Sequence, residues 1–181
     1  TKETRFITTP IEEVKGELES LLQDEIESDK LEIVRDLNDI RIRFSSDDLY
    51  RSGSATLQVS ALRLLDRVLA AIKKVRYDDF MIDVEGHTDN TPISSNIYPS
   101  NWELSTTRAT NIVKYFNHLG ISIKRLKASG YADSRPRVPN EDSLGNPIPK
   151  NKDMNRRIVL RLYYTTSDEE LSTTTSSSPL Q

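Results

Sequence analysis

Two charged side chains sit where a binding site is commonly built. Asp89 falls in Gly86-His87-Thr88-Asp89-Asn90, just after the strand-like run Phe80-Met81-Ile82-Asp83-Val84-Glu85. Arg108 falls in Asn101-Trp102-Glu103-Leu104-Ser105-Thr106-Thr107-Arg108-Ala109, which opens an amphipathic helix. With Ser105 as N-cap, Arg108 occupies the third helical position, where the helix dipole favours acids over cations. Two roles for Arg108 are then open. It can join free helix N–H groups in holding a carboxylate or phosphate, or it can form a structural ion pair with Asp89 or another acid. Asp89 can cap its own turn, or it can accept an ammonium group. Acid and base together suit a zwitterion such as the end of an amino acid.

Catalytic chemistry has less support. There are two histidines. His87 lies two residues from Asp89 without the further ligands that a zinc site needs, and His118 lies near a helix end. No serine stands in a strained elbow motif, and neither a P-loop nor a dinucleotide fingerprint occurs. No cofactor and no metal are expected. Trp102 reads as a packing residue before the helix, with ligand stacking as its alternative role.

Periodicity supplies the elements around these residues. Pro10 suits the first turn of a helix in which Val14, Leu18, Leu21, Leu22 and Ile26 recur at helical spacing. This helix either docks on the domain or leads as a linker into a part lying outside the sequence. Residues 31–35 and 39–44 alternate apolar and polar around a turn at Leu37-Asn38-Asp39, which predicts a hairpin. A polar loop over 45–53 leads to a helix capped by Ser54, with Leu62, Leu65, Val68, Leu69, Ile72 and Val75 on its core face. Tyr77-Asp78-Asp79 ends that pattern before the strand at 80–86, and the second helix runs from about 102 or 106 to 119, where Gly120 suits a left-handed C-terminal cap. A strand over 125–131, a long polar loop over 132–155 and an alternating strand over 156–164 complete the domain. Residues 1–9 read as irregular, and the Ser/Thr-rich stretch 165–181 reads as a disordered tail.

The expected class is α+β, with helices on one face of a mixed sheet. Ile40, Ile42, Phe44, Phe80, Ile82, Val84, Ile158, Leu160 and Leu162 share the helix-facing side. Arg41, Arg43, Asp83, Glu85, Arg157 and Arg161 take the other side, read as a solvated face of cross-strand charge pairs. The chain has 181 residues, 29% of them charged, with a net charge of −3, enough for one domain with appendages and with no basic field for nucleic acid. It has no cysteine, which leaves the compartment open, and no apolar run of the roughly 20 residues a membrane span needs. The start at Thr1 suits a processed protein or an excised fragment.

Three ordered motifs, Val84-Glu85-Gly86-His87-Thr88-Asp89-Asn90, Asn101 to Ala109 and Asn155-Arg156-Arg157-Ile158, resemble the signature of OmpA-like peptidoglycan-binding domains, over roughly residues 38–164. Within them, Leu49-Tyr50-Arg51-Ser52-Gly53-Ser54-Ala55 and the long loop from Thr91 resemble the periplasmic region of flagellar motor stator B subunits. The resemblance implies a β-α-β-α-β-β fold that holds the peptide stem of peptidoglycan without cutting it. In diaminopimelate-type walls, it implies that Asp89 and Arg108 grip the diaminopimelate, Thr88 and Leu104 line the pocket through their backbone, and Asn155 and Arg156 shape its other side. It divides the chain into an N-terminal helix and strand over 1–37, the binding domain over 38–164 and the tail over 165–181. It further implies a periplasmic homodimer and a membrane helix before Thr1 that meets a stator A subunit. Residues 10–44 would control when the anchor reaches the wall. An outer-membrane protein or lipoprotein anchor of the same family is the alternative, and a wall hydrolase a more distant one.

Overall fold

The computed structural model describes residues 11–75 and 80–164. Helices α1 (Ile11–Leu21) and α2 (Gln23–Glu27) are followed by strands β1 (Glu32–Arg35) and β2 (Asp39–Ser45). Then come α3 (Ser46–Leu49), α4 (Val59–Lys74), β3 (Met81–His87), α5 (Asn101–His118), β4 (Leu126–Gly130), α6 (Pro149–Asn155) and β5 (Arg157–Tyr163). The five strands form one sheet in the order β1-β2-β5-β3-β4. All pairs are antiparallel except β3 with β4, which are parallel. From β2 onward this is the expected β-α-β-α-β-β arrangement of a mixed sheet, with α3 and α6 as short additions and β1 as the extra strand.

Strand alternation decides which face is dry. Ile40, Ile42, Phe44, Ile82, Val84, Ile158, Leu160 and Leu162 are buried against Leu65, Val68, Leu69 and Ile72 of α4 and Ile112 and Phe116 of α5. The N-terminal helix docks on the domain: Val14, Leu18 and Leu22 belong to the same core as Leu31 and Ile33 of β1. The periodic run is interrupted at Leu22, which separates α1 from α2. Gly120, at φ +96°, follows α5 as its left-handed cap.

Several boundaries differ from expectation. Part of the polar stretch 45–53 folds as α3, capped by Ser45, whose hydroxyl accepts from the Asp47 N–H at 3.3 Å. It buries Leu49 and Tyr50 completely. Helix α4 is entered from Gln58, while Ser54 instead accepts from the Thr56 N–H in the preceding turn. The polar stretch 132–155 ends in α6, which Pro149 begins. The charged sheet face is less solvated than alternation alone implies, since Asp83 and Glu85 are buried. Lys127 reaches Asp83 at 3.4 Å and Ser129 donates to it at 2.8 Å, while Glu85 meets the buried His87 ring at 3.2 Å. The expectations for residues 1–10, Tyr77-Asp78-Asp79 and 165–181 fall outside the described residues.

Helix α5 lies very close to the sheet. Gly86 of β3 pairs with Gly130 of β4, and both face the helix. A Cβ on Gly86 would collide with the Ser105 carbonyl, and one on Gly130 with the backbone and hydroxyl of Thr106. Gly86→Ala and Gly130→Ala are therefore expected to destabilise the fold by about 1–3 kcal/mol each through overpacking, measured by urea unfolding. Gly16→Ala, where the added methyl meets nothing, is the control.

Candidate functional site

The start of α5 fixes the geometry of the site. Ser100 is its N-cap: its hydroxyl accepts from the Trp102 N–H at 3.2 Å and donates to the Glu103 carboxylate, a capping-box pattern of Ser followed three residues later by Glu. Arg108 is thus about two turns inside the helix, and the expected conflict with the helix dipole does not arise. Ser105 is a fully buried helical residue with another task. Its hydroxyl donates to the Trp102 carbonyl and accepts the Ala132 N–H at 3.0 Å, while the Ala132 carbonyl accepts the Thr88 N–H at 2.8 Å. Ser105 therefore ties α5, the segment after β4 and the segment after β3 into one unit.

Asp89 and Arg108 are not a pair. The partner of Asp89 is Arg156, whose Nη1 donates to Oδ2 at 2.6 Å, while the Thr91 N–H donates to Oδ1 at 2.7 Å. Burial alone would raise the Asp89 pKa; the hydrogen bonds from Arg156 and Thr91 outweigh it and hold the carboxyl below its ordinary value. Arg156 also meets Asp47 at 3.1 Å and Asp153, so one guanidinium faces three carboxylates. Asn101 donates to the Thr91 carbonyl at 2.9 Å and so joins the same loop to α5.

Arg108 is held by neutral groups. Its Nε donates to the Ser54 carbonyl at 2.8 Å and its Nη2 to the Arg51 carbonyl at 3.3 Å. The guanidinium carbon lies 4.9 Å from the Tyr50 ring centroid, and the Tyr50 hydroxyl donates to the Arg108 carbonyl at 2.8 Å. Among the described residues it makes no ion pair with a carboxylate, yet the residue is only 4% exposed. Burial accordingly lowers its pKa.

A cleft of about 780 Å³ joins these groups. Asp89, Arg108, Thr88, Leu104 and Arg156 all line it. Asn155 does not: its fully buried amide accepts from the Arg137 and Val138 N–H groups and donates to the Val138 carbonyl and Asn140, holding the chain before α6. Asp47, Tyr50 and Arg51 line the cleft as well. Tyr50 and Arg51 lie in a stretch already singled out by resemblance, but only packing shows that Tyr50 forms the floor under Arg108. Among the described residues, no group of three or more His, Cys, Asp or Glu side chains is placed to hold a metal.

A mixed sheet with α4 and α5 on one face, and a cleft beside the C-terminal end of β3 lined by both Asp89 and Arg108, define an α+β domain. The OmpA family model matches residues 49–147, and the chain belongs to that family. Motility protein B of Bacillus subtilis is 28% identical over 82% of this chain and 54% of its own length. A solved structure of a putative MotB-like protein from Desulfovibrio vulgaris superposes with a TM-score of 0.75 at 26% identity, over 87% of this chain and 93% of that one. The cell wall anchor of the T6SS from Pseudomonas aeruginosa gives a TM-score of 0.71 at 27% identity, over 82% and 97%. The chain spans about half the length of the curated relatives it matches.

The depressed Asp89 pKa makes a signed prediction. Its contribution to stability is present above the ordinary carboxylate value of 3.8 and is lost as pH falls through the lower folded value. Asp89→Asn removes that contribution. Urea unfolding at pH 7 and at about pH 3 should show the wild type losing more stability between the two conditions than the variant does. Equal losses would mean that Asp89 is not stabilised as an anion.

Proposed function

We propose that this chain is a non-catalytic peptidoglycan-binding module that anchors a flagellar motor stator to the cell wall, as the periplasmic part of a stator B subunit. The observation that carries the reading is Arg108: a buried cation without a carboxylate partner among the described residues, lining the same cleft as an ionised acid. Leaving a buried charge uncompensated is costly, and a ligand carboxylate offsets that cost with charge-assisted hydrogen bonds. Three of the five guanidinium N–H groups remain beyond the two bonds to Ser54 and Arg51. In the same cleft, Asp89 accepts from Arg156 and Thr91, which leave part of its about four lone-pair sites unused. It retains capacity for an ammonium group.

A free amino group and carboxylate on one short side chain is the chemistry of diaminopimelate in a stem peptide. On this reading Asp89 takes the ammonium and Arg108 the carboxylate, while Thr88 and Leu104 wall the cleft. Arg156 keeps Asp89 ionised, and Asn155 shapes the approach indirectly through the 137–140 segment. Relationship to Motility protein B supports the stator assignment, which further entails a periplasmic homodimer and a membrane helix outside this sequence that meets the stator A subunit. An anchor in another envelope assembly is the second reading, favoured by the structural likeness to the T6SS cell wall anchor.

Co-sedimentation with purified sacculi tests the binding. Asp89→Ala and Arg108→Lys should each weaken it by about 1.5–3 kcal/mol, more than tenfold, with unchanged circular dichroism. Lysine keeps the charge of Arg108 but loses its fork. Wild-type binding by both variants would refute the site, and release of soluble muropeptides would refute the non-catalytic reading.

A further inference from the structure

Five charged residues line the cleft: the acids Asp47 and Asp89, and the arginines Arg51, Arg108 and Arg156. Arg156 meets both acids, Asp89 at 2.6 Å and Asp47 at 3.1 Å. One cation therefore answers two carboxylates, and two cations are left over. Arg108 is the first. Arg51 is the second: the residue is exposed, and its side chain makes no ion pair or hydrogen bond among the described residues.

The backbone that carries Arg51 is well tied. Tyr50 before it is buried and bridges to Leu57, and the Leu49 carbonyl accepts the Gln58 N–H at 3.0 Å. The Arg51 carbonyl accepts both the Ser54 N–H at 3.0 Å and Nη2 of Arg108 at 3.3 Å. Gly53, at φ +66°, gives this turn the left-handed residue it needs. The bonded carbonyl places the Arg51 Cα within roughly 6 Å of the Arg108 guanidinium. An extended arginine side chain spans such a distance, so Arg51 and Arg108 can serve neighbouring groups of one ligand.

Charge matching then says what that ligand carries. A zwitterion brings one ammonium and one carboxylate, which Asp89 and Arg108 answer on the stem-peptide reading. It leaves Arg51 without a partner and the lining with one positive charge in excess, three arginines against two acids. A ligand with one ammonium and two carboxylates balances the lining.

We propose that Arg51 binds a second carboxylate of the wall peptide and so makes the cleft selective for stems in which that group is not amidated. The proposal rests on the stem-peptide reading of the same cleft. Two groups of a diaminopimelate stem supply this chemistry: the α-carboxylate of the γ-linked D-glutamate and the carboxylate at the chain terminus. Amidation replaces an anion that matches the guanidinium fork by a neutral group with one acceptor oxygen. Asp89 and Arg108 hold the zwitterion itself, and Arg51 sets which stems are preferred. Ordering its exposed side chain costs rotamer freedom, which keeps the net effect moderate.

Calorimetric titration of the chain with soluble stem tetrapeptides tests it. The parent probe is L-Ala-γ-D-Glu-meso-diaminopimelyl-D-Ala. One analogue carries a carboxamide at the glutamate α position, and another carries it at the terminal D-Ala. One of these amidations should weaken wild-type binding by about tenfold. Arg51→Gln should bind the parent about tenfold more weakly than wild type does and should lose nothing further on that amidation. The amidation whose effect disappears in Arg51→Gln assigns the carboxylate to its position. Glutamine leaves the carbonyl that holds Arg108 in place, so the melting temperature should not change. Arg108→Lys should weaken all three peptides while staying sensitive to amidation. Equal wild-type affinity for the three peptides, or undiminished sensitivity in Arg51→Gln, would overturn the role of Arg51 and leave the wall-binding reading standing. No binding of the parent peptide by the wild type would overturn both.

Discussion

Gly86 and Gly130 stand side by side on neighbouring strands beneath α5, and neither has space for a methyl group. Because the helix can settle against their backbone, Ser105 comes within reach of the Ala132 N–H. That contact aligns the segments leaving β3 and β4, and Asp89 follows directly on the first of them. A wider helix–sheet spacing would separate Asp89 from the Leu104 and Arg108 side of the cleft. The site thus depends on a packing distance before it depends on any charge.

Charge then divides into local tasks. Asp89 is kept ionised by Arg156 and the Thr91 N–H, whereas Arg108 is held by two carbonyls and an aromatic face. An ion pair between Asp89 and Arg108 would have satisfied both groups and left little for a ligand. Separate support leaves each with unused hydrogen-bonding capacity in the lining of one cleft. Arg156 and Arg157, consecutive in sequence, show the same economy through strand geometry, since adjacent side chains at a strand entry project to opposite faces.

From Ile11 onward, α1, α2 and β1 are part of the same body. Val14, Leu18 and Leu22 pack with β1 and α4 in one core, and Glu25 pairs with Arg67 of α4. In the proposed anchor, force arriving at α1 would therefore reach the wall-binding cleft through packed helices and sheet.

Local chemistry in the sequence determined much of this. Alternating residues such as Ile158, Leu160 and Leu162 set the strand face, and the spacing of Leu65, Val68, Leu69 and Ile72 set the helix that covers it. The three motifs carried the family and put Thr88, Asp89, Leu104, Arg108 and Arg156 forward together. Ser105 offered a helix start where Ser100 is the actual cap, because a side-chain hydroxyl does not reveal whether it caps a helix or pins a distant loop. Tertiary structure alone decided that Asp89 meets Arg156 across 67 positions, that Tyr50 lies under Arg108, and that Asn155 serves the loop rather than the cleft. These relations depend on how close α5 comes to the sheet and on which side of β5 each arginine leaves, and no local pattern encodes either distance.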